Sequence, residues 1–262
     1  MLDLLLTPIA SLGRSVLEMC SAIGRLTLFL LEGLSHLFRP PFYLRLFGGI
    51  FAEFAFFSLP LVALIGLFTG MVLALQASTG LSRFNAQSAI ANLVVLSMTR
   101  ELGPVLTAVM VAGRVGAAMA AQIGTMRVTD QIDALSTLST QPMKYLVAPR
   151  LLAGVIALPL LVVVADVLGV CGGYLVAVFS LGFDGHTYLK NTIDFMTTLD
   201  VVSGLVKAAV FGLLIALLGC YYGYRSKGGA EGVGAATTNA VVVSSALIFA
   251  FDYILTELFF SQ

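Results

Sequence analysis

Tryptophan is absent from this chain of 262 residues, and charged residues make up only 11% of it. An ordinary soluble domain carries about 25%. The hydrophobic share is 59% and the mean hydropathy is +1.00, which reads as an integral membrane protein. With no tryptophan, any aromatic belt at the membrane surface must come from Tyr and Phe. Net formal charge is zero, which gives no support to nucleic-acid binding. Cys20, Cys171 and Cys220 are odd in number and far apart, so they form neither a disulfide framework nor a metal pattern. His36 and His186 are the only histidines, and the topology below puts them on opposite sides of the membrane. There is no phosphate loop, no dinucleotide fingerprint, no H-E-x-x-H and no G-x-S-x-G. The chain is therefore not expected to be an enzyme or to hold a cofactor or metal. Any ATP and its magnesium would be bound by a partner. The first cation is Arg14, behind an apolar opening run, so no cleavable signal peptide is expected.

What is present is a single membrane domain over residues 1–262. Residues 1–50 form an N-terminal region in which Ser11, Arg14, Ser15, Glu18, Ala22 and Arg25 recur at helical spacing as one polar face. That pattern predicts an amphipathic helix lying in the membrane interface, with a first transmembrane span as the competing reading. Arg39-Pro40-Pro41 ends it. Residues 54–260 form a bundle of five spans, at about Phe54–Ala77, Asn92–Thr125, Leu151–Leu181, Val201–Tyr224 and Thr237–Phe260. A polar connection, Ser78–Gln87, joins the first two, and residues 182–200 are polar and amphipathic. The second span is long: 34 residues of helix would extend roughly 51 Å, against a hydrocarbon core of roughly 30 Å. Either it projects from the membrane or Pro104 breaks it. The 126–150 loop contains a short predicted helix, Val128–Leu138, closed by Gln141-Pro142.

Cations orient the chain. Arg14, Arg25, Arg39, Arg45, Arg127, Lys144, Arg150, Arg225 and Lys227 fall on one side, and only Arg83 and Lys190 on the other. The excess predicts a cytoplasmic N-terminus, and five spans then put the C-terminus outside.

The charges within spans are the candidates for function, because an ionisable group in lipid is costly without a partner. Arg100 and Glu101 are consecutive, so their side chains diverge by about 100° and each needs a partner elsewhere. Lys207 enters the membrane at the same outer level, which makes Glu101–Lys207 a candidate pair, and Asp252 and Glu257 approach the same end. A polar cavity for a ligand with a charged head and an apolar body is one reading, and ion pairs that only fix helix register are the other. Arg114 lies 14 residues past Arg100, close to the same face and deeper. Gly113, Ala117 and Ala121 make one ladder of small residues and Gly116, Ala120 and Gly124 another, which points to close helix packing within the chain or across a dimer. The predicted helix in the 126–150 loop suits docking to a cytosolic partner, a plain solvated connection being the alternative.

Four stretches carry a family resemblance: GLFTGMVLALQ (66–76), TRELGPVLTAVMVAGRVGAAMAAQIGTMRVTDQIDAL (99–135), PMKYLVAPR (142–150) and GVGAATTNAVVVSSALIFAFDYILT (232–256). The chain resembles the MlaE family of permease subunits, from ABC-type systems that move phospholipid between the membranes of Gram-negative bacteria. One departure is Asp130-Gln131, where the family usually has Glu-Gln. The resemblance implies one interfacial helix and five spans in the inner membrane, and a homodimer with a lipid cavity between its copies. It also implies an ATPase dimer under the cytoplasmic helices, a periplasmic hexamer of an MCE-domain protein, and often a STAS-domain protein. It places Arg100, Glu101 and Lys207 in or beside the lipid cavity, and Asp130, Gln131, Asp133 and Leu135 at the ATPase contact. A proton-coupled secondary transporter and a scaffold without substrate are the alternatives; no internal repeat between the halves supports the first.

Overall fold

The computed structural model describes residues 2–37, 39–40, 43–81 and 89–261, with the side chains of 2–12, 15 and 44 left aside. Pro41, Arg83, residues 82–87 of the polar connection, and the side chains of Ser11 and Ser15 lie outside the described residues. Among the described residues all the regular structure is helical, and there is no strand. Five helices are long and apolar enough to cross a membrane: Arg45–Leu81, Ala89–Val128, Met143–Ser180, Thr198–Tyr224 and Gly229–Phe260. We number them spans 1 to 5. The short helix Gln131–Thr137 joins spans 2 and 3, and Gly185–Phe195 joins spans 3 and 4. The end of the bundle carrying Arg127, Lys144, Arg225 and Lys227 is called the basic end here; the other is the far end.

Several boundaries differ from the sequence reading. Span 1 begins at Arg45, so residues 45–50 belong to the bundle rather than to the N-terminal region; a 3-10 turn at Phe56–Ser58 is absorbed without a break. Pro104 does not break span 2. A π turn, Met98–Leu102, precedes it, and the proline sits in the first turn of the α segment that follows. There its missing N–H costs little. Span 2 is therefore one helix of 40 residues that overhangs the bilayer. The loop helix is shorter than Val128–Leu138, because Asp130 takes a left-handed conformation with φ of 57° that separates it from span 2.

Close helix contact builds the core. Span 1 lies along span 3, where a Cβ on Gly70 would overlap the carbonyl of Gly169. Span 3 lies along span 4, where Gly154 and Gly212 face each other in the same way. Span 4 touches spans 2, 3 and 5 and is the most enclosed, with Phe211, Ile215 and Leu218 fully buried. Of the two small-residue ladders, Gly116 and Ala120 pack under Gly219 and Gly223 of span 4, so that one serves packing inside the chain. Gly113, on the other ladder, faces open space. Span 5 buries only Ala236, Ala240, Ser244 and Ile248, leaving Thr238, Asn239, Val242, Phe249 and Tyr253 exposed on its opposite side.

The N-terminal helix, Leu2–Leu37, is not among the candidate spans. Its last third docks on the basic end, with Phe29 edge-on to Tyr221 at 5.5 Å and Gly33 against Val147 and Leu151. Val16, Leu17, Met19 and Ile23 are exposed, as an interfacial helix requires of its lipid face.

Candidate functional site

Span 2 enters from the far end, and its first π turn carries both Arg100 and Glu101. Four residues after Arg100 comes Pro104. In α-helical register the Arg100 carbonyl would accept from the N–H of residue 104, which proline lacks. That carbonyl accepts instead from Lys207 Nζ of span 4 at 3.0 Å. The same ammonium donates to Glu101 Oε2 at 2.9 Å and to Thr256 Oγ1 at 2.7 Å. Asp252 Oδ1 of span 5 lies 2.9 Å from it as an ion pair. Lys207 is 0% exposed, and its three N–H bonds are all taken. The single proton of the Thr256 hydroxyl is shared between two acceptors in reach, Glu101 Oε1 at 3.1 Å and the Asp252 carbonyl at 2.8 Å. Lys207 thus ties spans 2, 4 and 5 into one knot near the far end.

Arg100 points to a different partner. Its Nε donates to Asp200 Oδ1 at 2.6 Å, and its guanidinium stacks 4.0 Å over the Phe260 ring. Asp200 is itself fixed: it is the third residue of a capping box with Thr197 at the start of span 4 and is 1% exposed. The cluster therefore holds two cations, Arg100 and Lys207, and three carboxylates, Glu101, Asp200 and Asp252. The chain encloses Lys207 and Asp200 and leaves Glu101, at 38% side-chain exposure, and Arg100, at 29%, facing outward.

Of the sequence candidates, the structure brings together Arg100, Glu101, Lys207 and Asp252. Glu257 is exposed and makes no ion pair among the described residues. Arg114 does not share the face of Arg100: its Nη1 donates to Ser58 Oγ of span 1 at 2.8 Å. The cause is two π turns, Met98–Leu102 and Ala112–Gly116, each of which adds a residue to a turn and rotates the remainder of the helix by roughly 100° against α spacing. Asp200 and Thr256 were missed, yet both leave a trace in the sequence. Thr197-x-x-Asp200 is a capping-box pattern, and Thr256 is one turn beyond Asp252. Arg150, read as a loop residue, is buried in span 3 and bonded to Gln122 at 3.2 Å.

At the basic end, Ile132 of the short helix is buried and Leu135 packs back onto the bundle core. Asp130, Gln131 and Asp133 are exposed, and Asp133 accepts from Arg127 at 2.8 Å. Leu138, 74% exposed, is the large apolar side chain this corner leaves uncovered.

With that geometry established, comparison with known proteins is direct. The family model described as Permease MlaE matches residues 50–258. A probable ABC transporter permease protein of Rickettsia bellii is 54% identical, over 95% of this chain and 96% of its own. The intermembrane phospholipid transport system permease protein MlaE of Haemophilus influenzae is 34% identical, over 96% and 97%. The chloroplast protein TRIGALACTOSYLDIACYLGLYCEROL 1 of Arabidopsis thaliana is 36% identical over 78% of this chain and 58% of its own.

Proposed function

The chain belongs to the MlaE permease family, a family of ABC transporter permeases, and from that premise we propose that it is the membrane subunit of an ATP-driven transporter of phospholipid between the inner and outer membranes. The far-end knot around Lys207 is the observation that carries this reading. Spans 2, 4 and 5 gather two cations and three carboxylates near one end, and the two that remain accessible, Arg100 and Glu101, carry opposite charge. That pairing suits a phospholipid head, whose phosphate and amine also carry opposite charge. Lys207 acts as the brace and Glu101 and Arg100 as the contact surface, with the acyl chains lying along apolar helix faces.

Two copies meet along span 5, whose one-sided packing leaves an exposed face with Thr238 and Asn239 in it, and the lipid cavity lies between them. The basic end is cytoplasmic, as the positive-inside rule directs, which places the C-terminus in the periplasm of an inner-membrane protein. A separate ATPase dimer binds ATP and magnesium and docks beneath Gln131–Thr137, touching Asp130, Gln131, Asp133 and Leu138, while Leu135 passes the displacement to the bundle. An MCE-domain hexamer on the periplasmic side receives or supplies the lipid, and a STAS-domain protein accompanies the ATPase. The decisive experiment purifies the complex from cells and identifies bound lipid by mass spectrometry, with Lys207→Met alongside. Co-purified phospholipid that falls in the variant is expected; none in either preparation refutes the reading. For the coupling, Asp130→Ala with Gln131→Ala should lower complex assembly or ATP turnover, and unchanged values of both would remove these residues from the ATPase contact.

A further inference from the structure

A second polar group lies in the opposite half of the bundle, away from the knot. Spans 1, 2 and 3 leave a cavity of about 230 Å³ between them, lined by Glu53, Arg114, Gln122 and Arg150 among apolar walls that include Phe54 and Met119. One water needs only about 10–15 Å³ of such space, so the cavity exceeds a packing defect. Its polar side chains are held in a chain. Arg150, 8% exposed, donates to the Leu146 carbonyl at 2.7 Å and to Gln122 Oε1 at 3.2 Å, and Gln122 Nε2 donates to Glu53 Oε1 at 3.3 Å. Among the described residues Arg114 meets the Ser58 hydroxyl and, 6.0 Å away, the Phe57 ring. Among the described residues neither arginine forms an ion pair. Two guanidiniums therefore share a cavity with one carboxylate, which is already engaged by Gln122.

Depth adds to the charge argument. Arg150 is one-fifth of the way into span 3, about 10 Å from its basic end, and Arg114 is about 21 Å from the basic end of span 2. Helices of 37 to 40 residues overhang a hydrocarbon core of roughly 30 Å by more than 10 Å on each side. Arg150 then stands at headgroup level and Arg114 about 10 Å below it. An uncompensated guanidinium at that depth calls for an anion, and the apolar walls call for an anion with a hydrocarbon body. A phosphate oxygen pair matches the planar donor fork of arginine.

We propose that this cavity is a second lipid site, which takes the phosphate head of a lipid from the leaflet at the basic end through Arg114 and Arg150. It is separate from the Lys207 knot, whose cations are already matched by carboxylates, and it needs only that the chain sits in a bilayer.

The test places a photoreactive amino acid at Ala118, an exposed residue of the cavity wall, in the full chain purified with its partners. The complex is reconstituted in nanodiscs of phosphatidylethanolamine and phosphatidylglycerol, and in nanodiscs where diacylglycerol replaces part of the phospholipid. Adducts are read by mass spectrometry. Phospholipid adducts should dominate and should fall about tenfold in Arg114→Gln/Arg150→Gln, the loss of charge-assisted bonds. Arg114→Lys/Arg150→Lys keeps the charge but not the planar fork and should label between the parent and the glutamine variant, which separates loss of binding from loss of fold. Added inorganic phosphate should not compete, since a free ion lacks the hydrocarbon body. Adducts that persist without the arginines, equal labelling of diacylglycerol, displacement by inorganic phosphate, or a crosslink to a second copy of the chain would each overturn the proposal.

Discussion

Replacing Lys207 by Met tests whether the far-end knot is held together by charge. The substitution keeps the stem and its packing and removes the ammonium. Glu101 and Asp252, both 2.9 Å from Nζ, would then lose the cation they share. For two like charges ~4–5 Å apart, an effective dielectric of about 20 gives a repulsion of about 3–4 kcal/mol. Breaking a buried pair on one side typically costs about 3–5 kcal/mol, so the two figures agree in size. The Arg100 carbonyl also loses its donor, and Pro104 cannot replace it. Thermal unfolding can be followed without tryptophan, because Cys220 is fully buried in span 4 while Cys20 and Cys171 are exposed. With the exposed pair changed to Ser, a thiol-reactive dye reports the opening of the bundle. Lys207→Met should lower the midpoint by about 10 °C. Adding Asp252→Asn removes one of the two like charges and should recover more than half of that loss. A Lys207→Met midpoint equal to that of the parent would refute the argument, as would a double variant no better than the single.

Three further outcomes follow from other parts of the structure. Asp200→Ala deletes both the capping box of span 4 and the Arg100 partner and should cost about 2–4 kcal/mol; in the same dye assay, Asp200→Asn, which keeps a cap acceptor, should fall between it and the parent. Gly70→Ala places a methyl on the Gly169 carbonyl and should separate spans 1 and 3, whereas Gly113→Ala meets open space. Folded yield in detergent should drop several-fold for the first and not for the second. Asp184 accepts from both the hydroxyl and the backbone N–H of Thr187, which holds its carboxyl below the usual range. A depressed carboxyl stabilises above its unfolded value and loses that stabilisation as pH falls through its folded value. Hydrogen-exchange protection of Gly185–Phe195, corrected for intrinsic rates, should therefore decline towards acid pH, and Asp184→Asn should abolish that dependence.

The number of spans was legible because it follows from runs of apolar residues and from the sidedness of cations, both of which are one-dimensional properties. Lys207 and Glu101 could be placed at one level because both are near the starts of spans that enter from the same side. Faces were less legible. Arg114 at 14 residues from Arg100 belongs on nearly the same face of an α-helix, yet it bonds to span 1 while Arg100 bonds to span 4. The π turns that separate them have no signature in composition. Glu53 and Arg150 were missed for a different reason. Each is near the end of an apolar run, where a charge reads as a boundary residue at the membrane surface; the long spans carry both to the cavity, Arg150 buried and Glu53 exposed at its wall.

The charges and the π turns of span 2 have a common logic. Every ionisable residue in the interior of this helix, Arg100, Glu101 and Arg114, falls within one of its two π turns. An α turn satisfies its own backbone and offers nothing to a neighbouring helix; a π turn is wider and displaces its carbonyls from α register. At the first turn the displaced carbonyl, left without a donor by Pro104, is the one that Lys207 captures. One ammonium therefore binds a backbone carbonyl and a carboxylate of the same turn, two charge-assisted bonds where an ion pair alone would give one. It follows that Pro104, Lys207 and Glu101 form one structural unit spread over two helices. Any movement of span 4 against span 2 must break a backbone bond as well as a salt bridge, so the two helices move together and span 5, joined through Thr256 and Asp252, moves with them. Span 2 is thus a continuous helix, Ala89–Val128, whose far end is locked to its neighbours.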